Sequence, residues 1–230
     1  LNGGKDLDEV LLSADGFLLD FDGVLADSEP VFRWSWNKAL APWNHRVNKK
    51  DYWKYWSSLG EGLSGEIKRY ELRGIDVEEA AYRQRTFYAE AVEKGLVKLF
   101  PGAAELVACL DEIASRGGPS WCIASNSPSE IVKTILLQGG ISPGNVVGGG
   151  NLPGKPSPAI FLEAAGKLEI LPEKSVVVED SWKGIAAARA GGFTGILVLN
   201  RYNSSLEISS DYEVSSLTNL FEYIKKTFKV

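Results

Sequence analysis

The sequence has no methionine, not even at position 1, a single histidine and only two cysteines. The missing start residue is read either as a trimmed chain or as one written without its methionines. Cys109 and Cys122 lie in apolar segments and read as two reduced, buried thiols of a cytoplasmic protein, not as a disulfide framework. The lone histidine, His45, is given no role. No apolar run approaches the ~18 residues that a membrane span needs. Leu1–Val10 lacks an apolar centre and carries Lys5, Asp6, Asp8 and Glu9, so no signal peptide is read there. Without one, the glycosylation pattern Asn203-Ser204-Ser205 is read as chance. There is no basic block either: acids exceed bases 30 to 25, for a net charge of −5. A nucleic-acid partner is therefore not expected. Internal repeats and low-complexity segments are also missing.

What remains is an ordinary globular composition, 44% hydrophobic and 24% charged over 230 residues. A chain this long buries roughly 70–75% of its unfolded surface and needs no staples. Short apolar runs, Phe17–Phe21, Trp121–Ala124, Val176–Val178 and Gly195–Leu199, alternate with helical patterns over 103–116, 129–138, 158–168, 184–190 and 217–228. That alternation predicts a parallel sheet covered on both faces, with right-handed crossovers. The fold class is α/β, a doubly wound Rossmann-like core.

One stretch breaks the rhythm. Residues 29–95 contain no credible strand, and helices are predicted near 30–41, 50–58, 63–73 and 77–94. Five of the seven tryptophans fall here: Trp34, Trp36, Trp43, Trp53 and Trp56. Such a cluster is either a ligand platform or the core of a small helical unit, and the second reading is adopted. The core is thus assigned to 1–28 and 96–230. The inserted α-helical domain is assigned to 29–95 and read as a lid, with hinges near Asp27–Glu29 and Gly95–Pro101. It is expected to close over bound ligand and exclude water.

Ligands of open α/β sheets bind outside the carboxyl ends of the strands. Three predicted strands end there in polar residues: Asp20 and Asp22, Ser125 and Asn126, Glu179 and Asp180. In an extended segment Asp20 and Asp22 point to the same side and can serve one site. Two carboxylates ~4 Å apart repel by ~4 kcal/mol at an effective dielectric of 20. Three or four together call for a cation, and hard oxygen donors suit Mg²⁺. Lys155, in the turn Gly154-Lys155-Pro156 just before a helix, can pair with a carboxylate and a phosphate oxygen at once. Ser125 reads as a turn residue or as a donor to a phosphoryl oxygen, helped by nearby backbone N–H groups.

Four segments, Asp20-Phe21-Asp22-Gly23-Val24-Leu25-Ala26-Asp27-Ser28, Ala124-Ser125-Asn126-Ser127, Gly154-Lys155-Pro156-Ser157-Pro158 and Val178-Glu179-Asp180-Ser181-x-x-Gly184-Ile185, occur in this order. Together they resemble the four motifs of the haloacid dehalogenase-like hydrolase superfamily, over about residues 13–200. The insert resembles that family's α-helical cap, and Phe100-Pro101-Gly102 its return to the core. The resemblance implies that Asp20 is a nucleophile forming an aspartyl-phosphate and that Asp22 is the acid and base. It implies that Ser125 and Lys155 hold the phosphoryl group. Mg²⁺ would be bound by Asp20, the Asp22 carbonyl and Asp180, with Glu179 in support. These roles fit the chemistry of a carboxylate nucleophile beside a metal and a lysine.

The implied substrate is a small phosphate monoester, such as a sugar phosphate or phosphoglycolate, hydrolysed by a monomer. Asn126 at the core and Gly62 and Ser64 in a glycine-rich turn, Leu59–Gly65, are candidate substrate contacts. Arg33, Lys54, Lys68 and Arg69 are read mostly as a solvated face. Among rivals, Gly149–Pro156 matches GxxxxGK but has Pro156 where a P-loop needs Ser or Thr. A receiver-like phospho-acceptor module also uses acids, Ser or Thr, and Lys, but without the partner role of Asp22 or a cap. The β-phosphoglucomutase-like members carry a histidine ten residues beyond the second aspartate; Phe32 stands there in this chain. A phosphatase is therefore expected in place of a mutase.

Overall fold

The computed structural model describes residues 6–150 and 152–230. Leu1–Lys5, within the segment inspected for a leader, and Asn151, within the GxxxxGK match, lie outside the described residues. In chain order the elements are α1 (Leu7–Ser13), β1 (Gly16–Leu19), β2 (Ala26–Asp27), α2 (Glu29–Leu40) and α3 (Lys49–Asp51), which runs into a π-helical turn over Tyr52–Ser58. There follow α4 (Gly62–Tyr70), α5 (Val77–Glu93), β3 (Lys98–Leu99), α6 (Ala103–Ser115), β4 (Ser120–Ser125) and α7 (Ser129–Gln138). The chain ends with β5 (Val146–Gly148), α8 (Ala159–Leu168), β6 (Ser175–Glu179), α9 (Trp182–Ala190), β7 (Thr194–Val198), β8 (Tyr212–Val214) and α10 (Leu217–Phe228). The chain divides into two compact units, Leu1–Asp27 with Lys98–Val230, and Ser28–Val97.

The first unit is built on a six-stranded sheet of order β5-β4-β1-β6-β7-β8, every pair parallel. The chain winds outward from β1 through β4 to β5, then crosses back to β6 and winds the other way. The reversal leaves a topological switch point between β1 and β6, where such sheets bind their ligands. β1 and β6 are buried along their whole length, as strands covered on both faces must be. On one face Leu18, Cys122, Val147 and Val177 pack with Ile160, Phe161 and Ala164 of α8 and Ala187 and Ala188 of α9. On the other, the Phe17 ring meets Phe228 of α10 edge-on, 6.3 Å between centroids. Both cysteines are buried free thiols, and burial pushes that of Cys122 up to about 11. Among the described residues no helix is long and apolar enough to cross a membrane.

Sequence periodicity located the four central strands to within about two residues, but not the short outer ones. β5 and β8 have three residues each, too few to display alternation. The two passages between the units are tied together by β2 and β3, paired antiparallel with Ala26 opposite Leu99 and Asp27 opposite Lys98.

The second unit is helical. Leu40, Val47, Tyr52, Trp56, Leu63 and Ala80 form its core, with Phe32, Trp36, Trp43 and Trp53 packed against them. Trp36 and Trp56 meet at 65° with centroids 5.0 Å apart, and Phe32 stacks on Tyr88 at 4.0 Å. The tryptophans thus mostly pack, as the sequence reading held, although Trp34 stays exposed. Glu66 is buried among them and accepts from Trp56 Nε1 at 3.0 Å and Arg69 Nη1 at 3.1 Å, with His45 Nε2 2.9 Å away. One expectation needs correcting. The glycine-rich stretch is not a turn as far as Gly65: α4 already begins at Gly62, and Ser64 lies in its first turn. Gly62 has φ +58°, so the bend is completed at that residue and helix follows at once.

Candidate active site

The register of the sheet explains why the polar strand ends meet. Leu19 lies beside Ile123 of β4 and Val178 of β6, so Asp20, one residue on, lies beside Ala124 and Glu179. Asp20 N donates to Val178 O at 2.9 Å, holding the carboxylate at the switch point. Lys155 reaches the same place from the loop before α8. Its ammonium donates to Asp20 Oδ1 at 2.5 Å, Glu179 Oε1 at 2.8 Å and Ala124 O at 3.2 Å, which uses all three of its hydrogens. Asn126 is exposed, and its Oδ1 accepts from Lys155 N at 3.2 Å and so steadies that loop.

Glu179 is 1% exposed and fully engaged. One oxygen faces Lys155; the other accepts from Asp180 N, Ser181 N and Ser181 Oγ at 2.8, 2.8 and 2.9 Å. Ser181 is also the N-cap of α9, accepting from Gly184 N at 3.1 Å. A Cβ on Gly184 would lie 1.7 Å from Glu179 Cδ, so the helix can approach the carboxylate only because that residue is glycine. The turn after β1 has the same requirement. Gly23 sits at φ +90°, and a Cβ there would fall 2.1 Å from Asp180 Oδ2.

Asp22 faces β4. Its Oδ2 accepts from Ser127 Oγ at 2.6 Å and Ser125 Oγ at 3.1 Å, while Ser125 Oγ accepts from Ser127 N at 3.0 Å. The close carboxylate group is therefore Asp20, Glu179 and Asp180, whose oxygens lie within 4.8 Å of one another. The side chain of Asp22 is not part of it. Lys155 pairs with Asp20 and Glu179 of these three carboxylates, and every donor in the group is a hard oxygen, which fits a small divalent cation. Burial raises the Asp20 carboxyl to about 8; Lys155 opposes the rise, and the charges of Glu179 and Asp22 add to it. Burial by itself would lower the Lys155 ammonium, but Asp20 and Glu179 outweigh it and keep the lysine cationic.

Three side chains of this region escaped sequence reasoning: Ser127, Asn200 and Asn203. Ser127 is the Asp22 partner just described. Asn200 Nδ2 donates to both Gly23 O and Asp180 Oδ2 at 2.9 Å, and Asn203 Nδ2 donates to Asp180 O at 2.7 Å. The P-loop alternative fails here, because the Lys155 ammonium is buried between two carboxylates and does not line an open phosphate cradle. Gly62 and Ser64 belong to the helical unit.

Comparison with known proteins agrees with this geometry. The family model described as haloacid dehalogenase-like hydrolase matches residues 14–192. A phosphoglycolate phosphatase of Nitrosococcus oceani is 27% identical over 222 residues, covering 93% of this chain and 96% of its own. A CBBY-like protein of Arabidopsis thaliana is 37% identical over 212 residues, covering 81% of this chain and 64% of its own. Among solved structures, CbbY from Rhodobacter sphaeroides in complex with phosphate has a TM-score of 0.75 at 23% identity, over 90% of this chain and 96% of that one. With the four motifs gathered at the switch point and most of the first unit inside the matched span, the chain belongs to the haloacid dehalogenase-like hydrolase family.

Proposed function

We propose that this chain is a Mg²⁺-dependent phosphatase that hydrolyses a small phosphate monoester, of the sugar-phosphate or phosphoglycolate kind, through an aspartyl-phosphate on Asp20. The observation that carries the reading is the Lys155 ammonium bound to Asp20 and Glu179 at the switch point, with Asp22 two residues on. The name of the Nitrosococcus oceani relative supports the substrate class. Mg²⁺ held by Asp20, the Asp22 carbonyl and Asp180 would supply positive charge to the phosphoryl oxygens.

In the first half-reaction a carboxylate oxygen of Asp20 attacks phosphorus and the bond to the ester oxygen breaks. Asp22 acts as the acid that gives a proton to the departing alkoxide. In the second, Asp22 takes a proton from water, whose oxygen bonds to phosphorus as the Asp20–phosphorus bond breaks. Inorganic phosphate leaves and Asp20 is restored. To hold the phosphoryl oxygens, Lys155 exchanges one of its present acceptors and Ser125 its bond to Asp22, while Glu179 keeps Lys155 in place and the Ser127 hydroxyl aims Asp22. The helical unit acts as a substrate-selecting cap, with Gly62 and Ser64 as candidate contacts. Phe32 has no hydrogen-bonding group and stacks on Tyr88, which favours water over a second sugar hydroxyl as the acceptor.

The test is phosphate release from a panel of small monoesters, including phosphoglycolate and hexose phosphates, with Mg²⁺ and after chelation. Turnover of at least one ester that stops on chelation and returns with Mg²⁺ is expected. No release from any member, or release undiminished after chelation and dialysis, would overturn the proposal.

A further inference from the structure

The loop after β7 contains a self-supporting pair of asparagines that no catalytic role accounts for. Asn200 N donates to Asn203 Oδ1 at 2.7 Å. Asn200 Oδ1 in turn accepts from Tyr202 N at 2.7 Å and Asn203 N at 3.2 Å. Each amide is thereby locked in one orientation, with its NH₂ group turned to the acceptors it must serve. Asn203, 4% exposed, donates to Val198 O at 2.9 Å, at the end of β7, and to Asp180 O at 2.7 Å. Both Asn200 donor bonds are committed as well: one to Gly23 O in the turn after Asp22, the other to Asp180 Oδ2, each at 2.9 Å.

The loop is anchored on its far side too. Arg201 Nη2 and the Tyr202 hydroxyl both bond the carboxylate of Asp27, in β2. The segment 200–203 is therefore fixed to β7, to β2 and to itself, and presents one amide to the Asp180 carboxylate and the Gly23 turn together. Gly23 also approaches Asp180 closely, and the Asn200 NH₂ group bridges that turn and that carboxylate.

We propose that Asn200 is a positioning residue for the cation site, with Asn203 as its brace. It fixes the rotamer of Asp180 and the spacing between Asp180 and the Asp20–Gly23 turn, so that the oxygens stand ready before a cation arrives. This rests on the metal-dependent reading above. Partners of this kind, which orient a metal ligand without touching the metal, typically change metal affinity 10–100-fold when removed.

The experiment compares the full-length wild type with Asn200→Ala, Asn203→Ala and Ser204→Ala. Ser204 is a control in the same loop. Mg²⁺ binding is measured by calorimetry on resting protein, and thermal unfolding in chelator and in saturating Mg²⁺. Asn200→Ala is expected to weaken Mg²⁺ binding about 10-fold or more. It should also shrink the Mg²⁺-induced rise in Tm and keep most of kcat at saturating Mg²⁺. Asn203→Ala should follow in the same direction, and Ser204→Ala should match wild type. Wild-type Mg²⁺ affinity in folded Asn200→Ala overturns the proposal, as does a Tm lowered in chelator with unchanged affinity, which would mark a merely structural bond. Should the alanine variant not fold, Asn200→Ser is read by the same two outcomes. Failure of the underlying reading looks different: wild type itself would then bind no Mg²⁺.

Discussion

Replacing Glu179 by glutamine alters one atom and almost no volume, yet it should be among the most damaging isosteric changes in the first unit. One Glu179 oxygen receives the Lys155 ammonium and the other receives three donors. Glutamine has one acceptor oxygen and one NH₂ group. In either amide orientation the NH₂ group faces donors: Lys155 Nζ in one, the Asp180 and Ser181 groups in the other. Glu179 is 1% exposed, so water cannot take up the loss. Lys155 keeps Asp20 as an ion-pair partner, so the loss is that of an acceptor for buried donors, about 3 kcal/mol where the donor is charged. For a chain of this size 1 kcal/mol shifts Tm by about 2–4 °C, so a fall of about 6–12 °C is expected. Calorimetry reads the shift. Amide exchange in β6 assigns it to the sheet, because faster exchange should appear there and not in α5. A Tm within a degree or two of wild type, with unchanged β6 exchange, would refute the reasoning.

Other outcomes follow from the same contacts. Gly184→Ala should cost about 1–3 kcal/mol or more by overpacking. Most of that penalty should disappear in the double variant with Glu179→Ala, since the clash is with that side chain; strict additivity of the two Tm changes would contradict it. Because burial raises Asp20 from 3.8 to about 8, the folded state binds its proton more tightly than the unfolded one. In chelator, the contribution of Asp20 to stability should therefore be fully present below about 3.8 and be lost as pH rises to about 8, so the difference between wild type and Asp20→Asn should change across that range. Parallel Tm–pH curves for the two proteins would count against it. Ser127→Ala should lower kcat about 10-fold or more by loosening Asp22, with Mg²⁺ affinity unchanged.

The parts of this protein legible in its sequence are those where one residue type at one place has a local cause. Asp20, Asp22, Ser125, Glu179 and Asp180 could be singled out because each follows a buried apolar run and so falls at the carboxyl end of a strand. Lys155 was legible from the Gly-Lys-Pro turn before α8. Asn200 and Asn203 were not, since their bonds to Gly23 and Asp180 span some 177 and 23 positions and exist only once the sheet has formed. The Asn203-Ser204-Ser205 pattern even drew attention to the right residue for the wrong reason: Asn203 is buried, with both amide hydrogens engaged. Ser127 looked like an ordinary loop hydroxyl, because its partner Asp22 is 105 positions away. Gly62 misled in the opposite sense. Glycines punctuate a sequence as turns, whereas here the packing of Leu63 and Glu66 into the helical unit carries α4 through them.

The account turns on Asp20 becoming phosphorylated. The direct measurement is acid quenching of the enzyme during steady turnover of a phosphate monoester with Mg²⁺, followed by peptide mass spectrometry. The account predicts one phosphoryl group on Asp20, present with substrate, lost once the substrate is exhausted, and missing from Asp20→Asn together with turnover. An adduct on another residue, or turnover persisting in Asp20→Asn, would contradict it.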